Sequence, residues 1–106
     1  MAAIVHVVLV QWRADASEED RRGIRSAARG MADAIPGILA LDEGPSVSPE
    51  GLESGFDWGL VVTFEDADAR DRYLPHPVHA AVGAQIVASA ERLVVFDVQA
   101  GVPALD

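Results

Sequence analysis

From Ala3 to Trp12 the chain is apolar except for His6 and Gln11, and its β-branched content predicts a strand. Ser17-Glu18-Glu19-Asp20 then places a hydroxyl before three acids, the pattern of a helix N-terminus. Ile24, Ala27, Ala28, Met31, Ala34 and Ile35 follow at helical spacing until Pro36-Gly37, predicting a helix of about 18 residues. Ile38 to Val47 reads as a weaker strand broken by Gly44-Pro45, and Ser48 to Gly55 as a polar hairpin loop. Phe56 to Phe64 is a third strand. A short helix runs from near Asp66 towards Tyr73 and is cut by Pro75. Pro77 opens another, since proline suits a first helical turn. Leu93 to Val98 is the last strand.

The order β-α-β-β-α-β is the split βαβ pattern of an α+β, ferredoxin-like domain with an antiparallel sheet, and the chain from 1 to 106 reads as one domain. Right-handed crossovers place both helical layers on one face of the sheet. Two strands are nevertheless apolar on both faces. Ile4, Val8 and Val10 oppose Val5, Val7 and Leu9, and Leu93 and Val95 oppose Val94, Phe96 and Val98. The helices cover one face only, so the other needs a cover. An identical sheet across a two-fold axis supplies one, giving a homodimeric α/β barrel.

Charge narrows the partners. Seventeen acidic and eight basic side chains give a net charge of −9, and every basic one is arginine. Such a surface predicts neither nucleic acid nor membrane as partner, because both need clustered cations. An acidic carrier protein is weakly disfavoured for the same reason, unless a local arginine patch offsets the field. The chain has no cysteine, hence no thiolate metal site and no cysteine nucleophile. Met1 to His6 lacks the basic and apolar regions of a signal peptide, and no stretch approaches a membrane span, so the expected location is cytoplasmic.

Tyr73-Leu74-Pro75-His76-Pro77-Val78-His79, with Val94-Val95-Phe96-Asp97-Val98 after it, resembles the stress-responsive A/B barrel (Dabb) family. The opening Ile4-Val5-His6-Val7-Val8-Leu9, the helix from Ser17 to Met31, and Phe56-Asp57-Trp58 leading into Val61-Val62-Thr63-Phe64-Glu65 extend the likeness over roughly residues 3–98. The resemblance implies the dimeric barrel. It implies less about chemistry, because the family holds stress-associated proteins without a known reaction as well as a plant polyketide cyclase. In that cyclase the residues matching Tyr73 and His79 are the catalytic pair, and the first-strand histidine is matched by His6.

The residues themselves allow this chemistry. His79 precedes Val82, Gly83 and Ile86 at helical spacing, on the core-facing stripe, and a partly buried neutral imidazole is a general base at neutral pH. Tyr73 is able to donate a hydrogen bond to a developing enolate. His6 shares a strand face with Val8 and Val10, where it either lines a cavity or packs. Asp97 either orients the His79 ring or caps a strand end. Trp58 stands where the cyclase carries another pocket histidine; it offers a face to an aromatic substrate, or fills the core. Structural alternatives exist for the pair as well: His79 satisfying a backbone carbonyl, Tyr73 a core aromatic.

The expectation for cofactors and metal is none. No flavin, nicotinamide or haem fingerprint is present, no Gly-rich phosphate turn precedes a helix, and His6, His76 and His79 form a weak ligand pattern. The charges of the first helix, including Glu18, Arg22, Arg25 and Arg29, read as a solvated face. The function expected is a cofactor-independent, cyclase- or lyase-type enzyme closing a ring in a small polyketide-like, apolar or aromatic substrate by His/Tyr acid–base aldol or Claisen-type chemistry. The alternatives are a non-catalytic, stress-responsive, ligand-binding dimer and, on likeness of fold alone, a cofactor-free monooxygenase.

Overall fold

The computed structural model describes residues 2–101. The elements are β1 (Ile4–Trp12), α1 (Glu18–Ala34), β2 (Ile38–Gly44), β3 (Trp58–Phe64), α2 (Ala67–Tyr73), α3 (Pro77–Ser89) and β4 (Ala90–Gln99). The sheet runs β2-β3-β1-β4 with every neighbouring pair antiparallel. This is the predicted α+β, ferredoxin-like arrangement.

Local chemistry sets the ends of the elements. Ser17 Oγ accepts from the Asp20 amide at 2.9 Å and opens α1, and Asp66 Oδ1 accepts from the Ala69 amide at 2.8 Å and opens α2; each satisfies a donor that the first helical turn leaves free. β2 stops at Gly44, three residues short of the predicted Val47, because Pro45 has no N–H to give a ladder. β3 begins at Trp58, not Phe56. Asp57 ends the loop by donating its amide to the Val10 carbonyl (2.8 Å) and accepting from the Trp12 amide through Oδ2 (2.9 Å). β4 is longer than Leu93–Val98 because it pairs with the whole of β1, from Ile4↔Gln99 to Trp12↔Ala90.

The core lies between the helices and one sheet face. Ile4, Val8 and Val10 of β1 and Trp58, Leu60, Val62 and Phe64 of β3 are buried there against Ile24, Ala28 and Met31 of α1, Tyr73 of α2, and Val82 and Ile86 of α3. Cross-strand partners share a face, so Val94, Phe96 and Val98, opposite Leu9, Val7 and Val5, lie on the other side. Among the described residues no helix or further strand packs on that side, and Phe96 is 64% exposed.

Gly37 ties α1 and β2 to α2. Its φ is +92°, and a Cβ built there would stand 2.7 Å from the Ala69 Cβ. Gly37→Ala therefore combines an unfavourable backbone with overpacking and is expected to cost about 2–4 kcal/mol. Denaturant midpoints measure this, and adding Ala69→Gly should recover the steric part. An unshifted midpoint for Gly37→Ala would refute the account.

Candidate active site

The β1–β4 register sets His6 directly opposite Asp97. Both side chains point to the helical side, and His6 Nδ1 stands 2.6 Å from Asp97 Oδ1. A carboxylate only accepts, so Nδ1–H donates and Nε2 is the free ring nitrogen. Arg70 of α2 holds the other oxygen, NH1 donating to Asp97 Oδ2 at 3.0 Å. The Arg70–Asp97–His6 chain fixes the imidazole in one orientation, although His6 itself is only 3% exposed.

Tyr73 ends α2 and is buried among three rings. Phe64 meets it edge-on at 4.8 Å between centroids, His6 lies at 5.7 Å, and His79 at 4.2 Å. Burial, reinforced by the negative charge of Asp97, pushes the phenol up to about 12. The hydroxyl therefore stays protonated and is a donor at any physiological pH.

His79 sits in the first turn of α3, which Pro77 starts at the helix N-terminus and His76 caps by accepting the Val78 amide at its Nδ1 (3.1 Å). The His79 Nδ1 lies 2.9 Å from the Leu74 carbonyl oxygen. A carbonyl cannot donate, so this bond puts the ring hydrogen on Nδ1 and leaves the lone pair on Nε2. Burial lowers the pKa of His79 against the opposing pull of the Leu74 carbonyl, and the charges of His6 and His76 lower it further. A neutral imidazole of fixed tautomer beside a protonated phenol is an arrangement able to move a proton next to a carbonyl.

His6, Tyr73 and His79 meet at one cavity of about 360 Å³ between the sheet and α2–α3, a volume suited to a small molecule. Apart from these three the wall is apolar, with Val8, Met31, Leu60, Val82, Ile86 and Val95 prominent. Leu93 and Val95 bring β4 into the wall, and Gly83 leaves α3 without a side chain there.

Two expectations need correction. Asp97 orients His6, not His79, because the strand register and not sequence proximity selects its partner. Trp58 does not line the His–Tyr cavity. It is buried at the other end of β3, stacked on Trp12 at 5.4 Å, and Leu60, two residues along the same face, takes the place at the cavity wall. Arg70 is the residue that sequence reasoning passed over; nothing local in Asp66 to Tyr73 signals that it reaches a carboxylate 27 residues away. His76 serves as a helix cap, and among the described residues no group of His, Asp and Glu is gathered as a metal site.

Known proteins share this framework. The chain is 23% identical over 95 residues to olivetolic acid cyclase of Cannabis sativa, a match covering 90% of this chain and 94% of the relative. A dimeric ferredoxin-like protein of unknown function from Jannaschia sp. CCS1 superposes with a TM-score of 0.83 at 25% identity, over 92% of this chain and 98% of that one. Hydroxynitrile lyase from Passiflora edulis gives 0.85 at 16% identity, over 96% and 98%, a likeness of fold. A family model described as the stress responsive A/B barrel domain matches residues 4–100, so the chain belongs to the Dabb family.

Proposed function

We propose that this protein is a cofactor-independent enzyme of cyclase or lyase type, acting on a small polyketide-like carbonyl compound through His79 and Tyr73. The observation that carries the reading is the His79 ring: Nδ1 is occupied by the Leu74 carbonyl, Nε2 keeps its lone pair, and the buried Tyr73 lies against it in an apolar cavity. His79 Nε2 takes a proton from the carbon next to a carbonyl, and Tyr73 donates a hydrogen bond to the oxygen that gains the charge. The enolate carbon then bonds to a second carbonyl carbon of the same molecule. The imidazolium returns its proton to the resulting alkoxide, which closes an aldol cycle with no net change in the protein. His6, held by Asp97 and Arg70, presents Nε2 as a further polar contact that orients the substrate. Folding a flexible chain into one near-attack shape supplies much of the remaining acceleration. The cyclase relative supports this class of reaction.

The apolar far face of the sheet supports the second element of the proposal, a homodimer closed into a barrel; the Jannaschia neighbour is described as dimeric. One observation favours a non-catalytic, ligand-binding reading instead, namely that the Leu74 bond gives His79 a structural task at the entry to α3.

The pH dependence of turnover separates the two. With a linear β-triketone as probe, followed by NMR through loss of the α-proton and appearance of cyclised product, activity requires neutral His79. The rate should rise with pH through an inflection below the ordinary imidazole value of 6.5, because burial favours the neutral ring. It should then stay level until Tyr73 loses its proton near about 12. Product that forms no faster than in buffer at any pH would leave the ligand-binding reading.

A further inference from the structure

Half of the basic residues in this acidic chain stand on one face of α1. Arg21, Arg22, Arg25 and Arg29 line a cleft of about 490 Å³ with Trp12 and Trp58. Trp58 pairs with Val10 and His6 with Val62, four residues along the same two strands. At 3.3 Å per residue the cleft therefore lies roughly 13 Å along the sheet from His6, and it shares no lining residue with the His–Tyr cavity.

The carboxylates near these arginines are already engaged. Glu43, whose side chain is 4% exposed, accepts from Nε and NH2 of Arg25 and from NH1 of Arg29. Glu18 pairs with Arg22 at 3.3 Å, and Asp57 accepts from the Trp12 amide. Four guanidiniums against three carboxylates leave a local excess of positive charge in a chain whose net charge is −9. Each guanidinium carries five N–H groups, so the ridge retains donors after its internal bonds are made.

A second observation points the same way. Trp58 is 2% exposed, and its indole Nε1–H is buried with no acceptor among the described residues. An indole nitrogen only donates, and buried donors are rarely left without a partner. A solvated arginine face explains the charges but not this N–H. An anion in the cleft supplies acceptors for the guanidiniums, and it reaches Nε1, which has no free surface, only if the indole shifts.

The length of the ridge selects the kind of anion. From Arg21 to Arg29 the helix rises about 12 Å, whereas a single phosphate is met by one or two guanidinium forks. We infer that this cleft binds the diphosphate group of a small molecule. The site needs no Gly-rich turn, because guanidiniums take the place of backbone amides. It stands on observations separate from the reaction at His79, and neither depends on the other.

Both tryptophans of the chain line the cleft, Trp58 also bordering the groove at Leu9 and Phe56 and Trp12 the one at Arg13, so their fluorescence reports on this end of the sheet. Pyrophosphate added to the full-length protein should change the emission saturably, with calorimetry giving one equivalent per chain. Arg21→Gln with Arg22→Gln, both exposed positions, should keep the circular dichroism of the parent and weaken binding at least about tenfold. Trp58→Phe, read by calorimetry, should also weaken it while keeping the ring packed on Trp12. The inference is overturned if sodium chloride at equal ionic strength reproduces the emission change, if no saturation occurs below about 10 mM, or if either variant binds as the parent does.

Discussion

Replacing His79 with asparagine should lower the rate of β-triketone cyclisation by roughly 10²–10⁴-fold, the usual contribution of a positioned general base. Asparagine is the informative choice because its amide nitrogen stands where Nδ1 stood and still donates to the Leu74 carbonyl. The helix entry is thus preserved while the basic Nε2 is removed. Thermal stability and oligomeric state should match those of the parent. A residue with a purely structural task would respond in the opposite way: His79→Asn would keep its function, and His79→Ala would lose stability. Equal turnover by parent and His79→Asn protein would remove His79 from the mechanism. A loss of turnover together with unfolding in both variants would assign the residue to the fold alone.

The parts of this molecule that were legible in the sequence are those that local chemistry decides. Alternation along Ile4 to Val10 gave the strand and its inward face, including the side to which His6 points. Ser17, Asp66 and Pro77 marked the helix starts that the structure has. The pairing of Tyr73 with His79 came from the resemblance to the family, and Pro75 and Pro77 marked only the end of one helix and the start of the next. What was not legible depends on register. Asp97 stands opposite His6 because β4 pairs with β1 in one particular alignment, and a shift of one residue would turn its side chain to the other face. Arg25 and Arg29 looked like a solvated stripe because the partner that gathers them, Glu43, comes from β2, 14 residues beyond Arg29. Trp58 was drawn towards the pocket by the likeness to a family position, whereas its neighbour Trp12 sets its place.

Phe96→Asp should convert a dimer into monomers. The ring is 64% exposed within one chain, so the change costs the isolated fold little. Across a two-fold axis the same position would lie among the apolar side chains of Val5, Val7, Leu9, Val94 and Val98 from both copies. There each carboxylate would lose water without gaining a partner, a penalty of several kcal/mol. The dissociation constant should rise at least about a hundredfold, visible by sedimentation or light scattering at micromolar concentration. The consequence for the site follows from β4, which is a single layer shared by two environments. Its Val94 and Phe96 face the bare side, while Leu93 and Val95 on the alternate positions form part of the cavity wall beside His6 and His79. A monomer leaves that wall supported from one side only. Cyclisation should therefore fall with the loss of the dimer, and recover as protein concentration is raised towards the new dissociation constant. A Phe96→Asp protein that remains dimeric would place the two-fold contact elsewhere, and one that is monomeric yet fully active would show that each cavity is complete within a single chain.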